Sequence, residues 1–130
     1  MTLGLTSYRP SVMGTTHMIS SGHYLATTAG YGIIEQGGNA TDAGVASGIA
    51  INVTLPHMTG FGGVAPIIVY SAETRQIRTI SGLGRWPKST PVEGFQGQMP
   101  DGLGHAIVPA ACDAWLTALE LYGSMTFEQV

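Results

Sequence analysis

Three features of the 130 residues predict an α+β fold built in layers. One segment is apolar on nearly every side of a helical projection, two short apolar runs stand at hairpin spacing, and amphipathic helical patterns flank them. The composition agrees, because 44% hydrophobic and 10% charged residues supply enough apolar material for one core and too little charge for a disordered tail.

In chain order, Val12 to Met18 reads as a short strand. Ser20-Ser21 then offers an N-cap for a first helix whose Leu25, Ala29 and Ile33 fall on one face, and Gly37-Gly38 ends it. Gly30 and Gly32 inside that helix cost about 1 kcal/mol each relative to Ala, which points to a surface pressed against another backbone. A second helix begins near Asn39 or Thr41, either of which can cap, and carries Asp42 in the first turn where the helix dipole favours a carboxylate. Pro56 stops it. Between those ends Val45, Ala46, Ile49, Ala50, Ile51 and Val53 surround the axis, so cover is expected on both sides, as in a layered sandwich.

The glycine-rich turn Thr59-Gly-Phe-Gly-Gly63 precedes a buried strand from Val64 to Tyr70 centred on Ile67, Ile68 and Val69. Gln76 to Ile80 forms its antiparallel partner. Residues 81–105 are rich in Gly and Pro and should be irregular, a length of connection that often lines a site. Pro109 suits the first position of a last helix with Ala111, Trp115, Ala118 and Tyr122 on one face and Gly123 as its stop. Ser124 or Thr126 ahead of Glu128 reads as the capped start of another helix, so the chain is expected to continue past Val130.

Several function classes start from weak ground. The net charge is −3 and the 5 Lys plus Arg are scattered, so neither nucleic acid nor a membrane surface is an expected partner. The longest nearly apolar stretch, Ala43 to Leu55, is shorter than the roughly 20 residues a bilayer span needs. Met1 to Pro10 shows no basic flank followed by an apolar run, which gives a cytoplasmic location as the expectation, with a periplasmic one open if a signal lies upstream. Cys112 stands alone and is read as a small buried residue on a helix. Gly60-Phe-Gly-Gly63 precedes a strand and Gly30-Tyr-Gly32 lies within a helix, so neither is a dinucleotide fingerprint, and no cofactor is expected. His17, His23, His57 and His105 lack the spacing of a zinc site, so no metal is expected either. No Gly-x-Ser-x-Gly elbow occurs.

Arg85, in Gly82-Leu-Gly-Arg-Trp-Pro87, is the charged residue of most interest. It sits between a strand end and a proline-containing loop, and a guanidinium can grip a carboxylate through two parallel hydrogen bonds. The alternative is an arginine that ties down its own loop through backbone carbonyls or a neighbouring carboxylate.

The run Leu25-Ala-Thr-Thr-Ala-Gly-Tyr-Gly-Ile-Ile-Glu-Gln-Gly-Gly-Asn-Ala-Thr-Asp-Ala43 resembles the γ-glutamyltransferase family: a helix, then Gly-Gly-Asn-Ala-x-Asp-Ala, then a buried small-residue helix. Further matches follow in order at Pro56-His-x-x-Gly60, Gly62-Gly63, Gly84-Arg85-x-Pro87 and Val108-Pro-x-x-x-Asp-Ala-Trp115, so the likeness covers about residues 10 to 130. It implies an N-terminal-nucleophile hydrolase with a four-layer αββα sandwich, of which these residues, as the N-terminal segment of a large subunit, form an incomplete domain. It further implies a precursor that cleaves itself to expose a Thr on a C-terminal small subunit, the α-amine of that Thr serving as base. No catalytic residue is therefore assigned within this chain. The implied partners are that small subunit and a small-molecule amide substrate, with room for a higher oligomer.

One departure bears on specificity. Typical members carry Arg-Glu-x-Ala-Pro here, which would put the arginine at Leu83, whereas this sequence resembles the Gly-Arg-Ala-Pro form of the branch that includes acylases and small-amide hydrolases. By that resemblance Arg85 takes the substrate-binding role, and amide hydrolysis is expected ahead of transfer. The alternatives are a true γ-glutamyl transpeptidase and a non-catalytic homologue or structural fragment.

Overall fold

The computed structural model describes residues 10–95, 97, 98 and 102–130; residues 1–9, where the leader was sought, and the side chain of His105 lie outside the described residues. Its main elements are α1 (Tyr24–Glu35), α2 (Ala40–Thr54), β1 (Ile67–Ser71), β2 (Gln76–Ile80) and α3 (Ala111–Tyr122). The α+β reading holds for these elements.

His23, not Ser20 or Ser21, caps α1, its Nδ1 accepting from the Leu25 N–H at 3.2 Å. Ser21 is occupied elsewhere, donating from Oγ to the His23 carbonyl at 2.8 Å and lying 2.7 Å from Thr27 Oγ1. The helix ends as the two glycines foretell: Gly38 N–H donates to Ile33 O, Gly37 N–H to Ile34 O, and Gly37 takes φ 93°. That is a Schellman stop, which turns the chain back into α2.

The buried face of α1 is Ala26, Gly30 and Ile33; it keeps the expected Ile33 but takes Ala26 and Gly30 in place of Leu25 and Ala29, and Leu25 is half exposed. The crossing with α2 selects that face, since the space a Gly30 side chain would fill is taken by Ser47 Oγ and the Ala43 carbonyl. Gly32 meets nothing nearby, so only one of the two helical glycines serves close packing. The stretch from Val12 to Met18 is irregular rather than a strand and has no strand partner among the described residues.

α2 opens with a capping box in which Asn39 Oδ1 accepts from the N–H groups of Thr41 and Asp42 while Asp42 Oδ2 accepts from the Asn39 N–H. Its small residues divide between two clusters. Ala43 and Ala46 join Ile33 on one side, and Val45 joins Ala111, Trp115, Ala118 and Leu119 on the other. The expected cover on both sides is present, but Val53 near the C-terminal end is 78% exposed.

β1 and β2 pair antiparallel with Ile67 opposite Ile80 and Tyr70 opposite Ile77. The strand expected from Val64 begins only at Ile67, although the Ala65 N–H still donates to the Gly82 carbonyl in the same register. Ile67 and Ile80 pack on the Trp115 cluster, whereas Ile68, Tyr70 and Ile77 on the opposite face are well exposed. The strand expected to be buried throughout is thus buried on one face, since side chains alternate and the described helices cover only one side.

α3 starts at Ala111 rather than Pro109, and its N-cap Ala110 has no capping side chain. The Gly63 carbonyl substitutes, accepting from the N–H groups of Ala110 at 3.1 Å and Ala111 at 3.2 Å. The glycine-rich turn therefore satisfies donors that a helix start leaves open. Phe61 from the same turn stands edge-on to Trp115, with ring centroids 5.2 Å apart. Beyond Gly123 the expected further helix is a single turn, in which Thr126 exchanges hydrogen bonds with Gln129, not Glu128.

Candidate functional site

The backbone around Arg85 is fixed before its side chain is considered. Gly82, at φ 55°, sits against the Ala65 carbonyl, and its own carbonyl accepts from the Ala65 N–H at 3.0 Å. Gly84 lies so close to the Val108 backbone that no side chain fits there, and Arg85 O accepts from the Val108 N–H at 3.2 Å. Downstream, the Thr90 N–H donates to Pro87 O at 3.0 Å, and the half-buried Trp86 ring meets Phe95 edge-on with centroids 5.4 Å apart. Glycine is needed at 82 and 84 because backbone meets backbone.

From this frame the Arg85 side chain extends into solvent and makes no hydrogen bond or ion pair among the described residues. The alternative of a guanidinium tying down its own loop finds no contact among the described residues. An exposed cation on a pinned backbone suits the capture of an anionic group, and a bidentate carboxylate matches its fork of donors.

The Asn39 and Asp42 pair of the sequence signature does different work. Asp42 is fully buried. Its carboxylate accepts from Ser124 Oγ at 2.6 Å and from the backbone N–H groups of Asn39, Ser124 and Met125, and Asn39 Nδ2 donates to Tyr122 O at 2.7 Å. Burial by itself raises the pKa of this carboxyl, but the Ser124 hydroxyl and then the three backbone donors outweigh it, so the group titrates below its ordinary value. The result is a clamp joining the start of α2 to the end of α3. Sequence reasoning saw the cap and the first-turn carboxylate; the partners some 80 residues away carry no local signal.

The other polar groups assemble no site of comparable definition. Thr16 Oγ1 lies 3.0 Å from His17 Nδ1, and His17 Nε2 lies 3.4 Å from Glu35 Oε1, an order of groups reminiscent of a hydrolytic triad. These residues border neither of the two grooves described below, and the longer contact falls short of hydrogen-bond quality, so the set lacks the geometry of a proton relay. His23 caps a helix and His57 is exposed, and no cluster suited to a metal occurs among the described residues. Cys112 is half-buried on α3 with a free thiol. One groove of about 740 Å³ runs between β1 and the facing ends of α2 and α3, and another of about 510 Å³ lies between α2, the 56–65 turn and Trp115; Arg85 borders neither.

Comparison with known proteins bears directly on these features. The family model described as gamma-glutamyltranspeptidase matches residues 26–130. A glutathione hydrolase-like YwrD proenzyme of Bacillus subtilis is 38% identical over 92% of the chain, and the acylase ACY 1 proenzyme of Pseudomonas sp. strain SE83 is 30% identical over 96%. The chain spans 24% and 25% of those two relatives. Among solved structures, the gamma-glutamyltranspeptidase of Helicobacter pylori superposes with a TM-score of 0.77 at 27% identity, covering 92% of this chain and 36% of that one. The glycine-defined crossing, the Asn39 and Asp42 clamp and the Arg85 turn all fall within the matched region, and the chain belongs to the gamma-glutamyltranspeptidase family.

Proposed function

We propose that these residues form the N-terminal segment of the large subunit of an amide-bond hydrolase, in which Arg85 binds a carboxylate of the substrate. The observation that carries this reading is the 38% identity to a hydrolase-like proenzyme across 92% of the chain. The acylase proenzyme supports the same reaction class. Around this segment the reading sets a four-layer αββα sandwich, and the nucleophile, a Thr freed by self-cleavage, belongs to a small subunit outside the 130 residues.

In that scheme the Thr α-amine removes the hydroxyl proton, the hydroxyl oxygen attacks the acyl carbon, and the C–N bond breaks as the proton passes to the departing amine. Water then attacks the acyl ester, releasing the acid and restoring the hydroxyl proton. Arg85 takes no part in bond making; it orients the acyl group by its carboxylate, which lowers the entropy cost of reaching the reactive geometry. Hydrolysis is favoured over transfer because the Gly-Arg-Trp-Pro turn differs from the arginine element of typical transpeptidases.

The test is kinetic. In the full-length enzyme, Arg85→Ala is expected to lower kcat/KM about 100-fold on a γ-glutamyl or glutaryl anilide, since hydrogen bonding to a charged group is worth about 1.5–3 kcal/mol. On an anilide without a carboxylate it should change little. Equal loss on both would remove the anchoring role.

A further inference from the structure

We propose that Trp86 is a positioning residue for Arg85, its ring wedged against Phe95 so that the guanidinium leaves the backbone in one direction. This rests on the carboxylate-binding role proposed above for Arg85.

Backbone bonds hold the chain on both sides of the Arg85 Cα, from Ala65 to Gly82 before it and from Val108 to the carbonyl of Arg85 itself after it. Beyond Trp86 the local bond among the described residues is the turn from Thr90 to Pro87, which closes the loop on itself without attaching it to the helices or the hairpin. The contact of Trp86 with Phe95, centroids 5.4 Å apart and rings at 78°, joins the residue beside the arginine to the short 3-10 turn at Val92–Phe95. Edge-to-face aromatic pairs favour one relative orientation, so the contact restricts Trp86 and the peptide after it, the first beyond Arg85 that no backbone bond among the described residues holds, and keeps that motion from reaching the arginine.

This matters because Arg85 has no internal partner among the described residues to aim it. A long cationic side chain in solvent samples many rotamers, and what limits its reach is the direction of its own backbone. The Trp86 indole Nε1–H is shielded from solvent and meets no acceptor among the described residues. Among the described residues the ring is held by packing rather than by its donor, which separates the positioning role from a direct polar contact.

The experiment uses the full-length enzyme with paired anilide substrates, one bearing a terminal carboxylate and one lacking it. Trp86→Ala is expected to raise KM for the carboxylate substrate about tenfold with kcat within about twofold, the pattern of lost binding rather than lost chemistry. KM for the carboxylate-free substrate should stay near wild type, and Trp86→Phe, which keeps the ring and deletes the N–H, should restore most of the loss. Trp86→Leu serves as the second truncation if the alanine variant does not fold. If Arg85→Ala raises KM selectively while Trp86→Ala and Trp86→Leu do not, the positioning role is wrong and the arginine's role stands. If Arg85→Ala itself has no selective effect, both fall. Equal impairment in Trp86→Phe and Trp86→Ala would overturn positioning by packing.

Discussion

Asp42, legible in the sequence as a first-turn carboxylate of a helix, also ties that helix to a segment some 80 residues away. The groups its oxygens meet are donors, the Ser124 hydroxyl and the N–H groups of Asn39, Ser124 and Met125, and they favour the ionised carboxylate. Asp42→Asn would turn an acceptor toward which N–H groups point into a donor, and the expected loss is about 2–4 kcal/mol, read as a lower thermal midpoint of the full-length protein. The sign of its pH dependence follows from the lowered pKa. Stability from Asp42 is fully present above the unfolded value of about 3.9 and is lost as pH falls through the lower folded value, so the gap between wild type and Asp42→Asn should close only below about pH 4. A gap that closes near neutrality would contradict the clamp. The first-turn carboxylate and the Asn39 cap were legible because capping is local, whereas the bonds to Tyr122 and Ser124 depend on a tertiary approach that no spacing encodes.

Among the elements, the two helical glycines give a paired test of what the α1 and α2 crossing requires. Gly30→Ala meets Ser47 Oγ and the Ala43 carbonyl and is expected to destabilise by about 1–3 kcal/mol through overpacking. Gly32→Ala meets open space and should stabilise by about 0.5–1 kcal/mol through helix propensity. Thermal denaturation of the two variants side by side checks both, and equal effects would refute a crossing centred on Gly30. Periodicity located the helices and the β2 strand well. It placed Ile33 on the buried face of α1 but chose Leu25 and Ala29 over their neighbours Ala26 and Gly30, because Leu25 and Ala26 are both apolar and only the close approach at Gly30 decides between them. It also expected Pro109 to open α3, where the Gly63 carbonyl, distant in sequence, caps the helix start instead.

At the scale of the whole molecule, the described residues cover the hairpin on one face. Ile68, Tyr70 and Ile77 stay exposed on the other. Contiguous apolar surface of this kind favours association or dye binding. Expressed as these 130 residues alone, the chain is expected to bind an anilinonaphthalene dye, and replacing Ile68 and Ile77 together by Thr should reduce that signal several-fold. Unchanged dye binding would place the exposed apolar surface elsewhere. The chemistry belongs to this scale as well: Arg85 was visible in the sequence through its flanking glycines and proline, but the pinning of its backbone by Val108 was not, since that pairing joins segments more than 20 residues apart.

The central claim, an autoprocessed amide hydrolase of the gamma-glutamyltranspeptidase family, is tested most directly by the intact mass of the full-length gene product after purification, followed by assay on γ-glutamyl, glutaryl and simple amide substrates. The account predicts two fragments, the smaller beginning with Thr, and release of amine from at least one substrate. A stable uncleaved chain, inactive on all of them, would contradict it and leave the Arg85 turn a structural feature of a non-catalytic homologue.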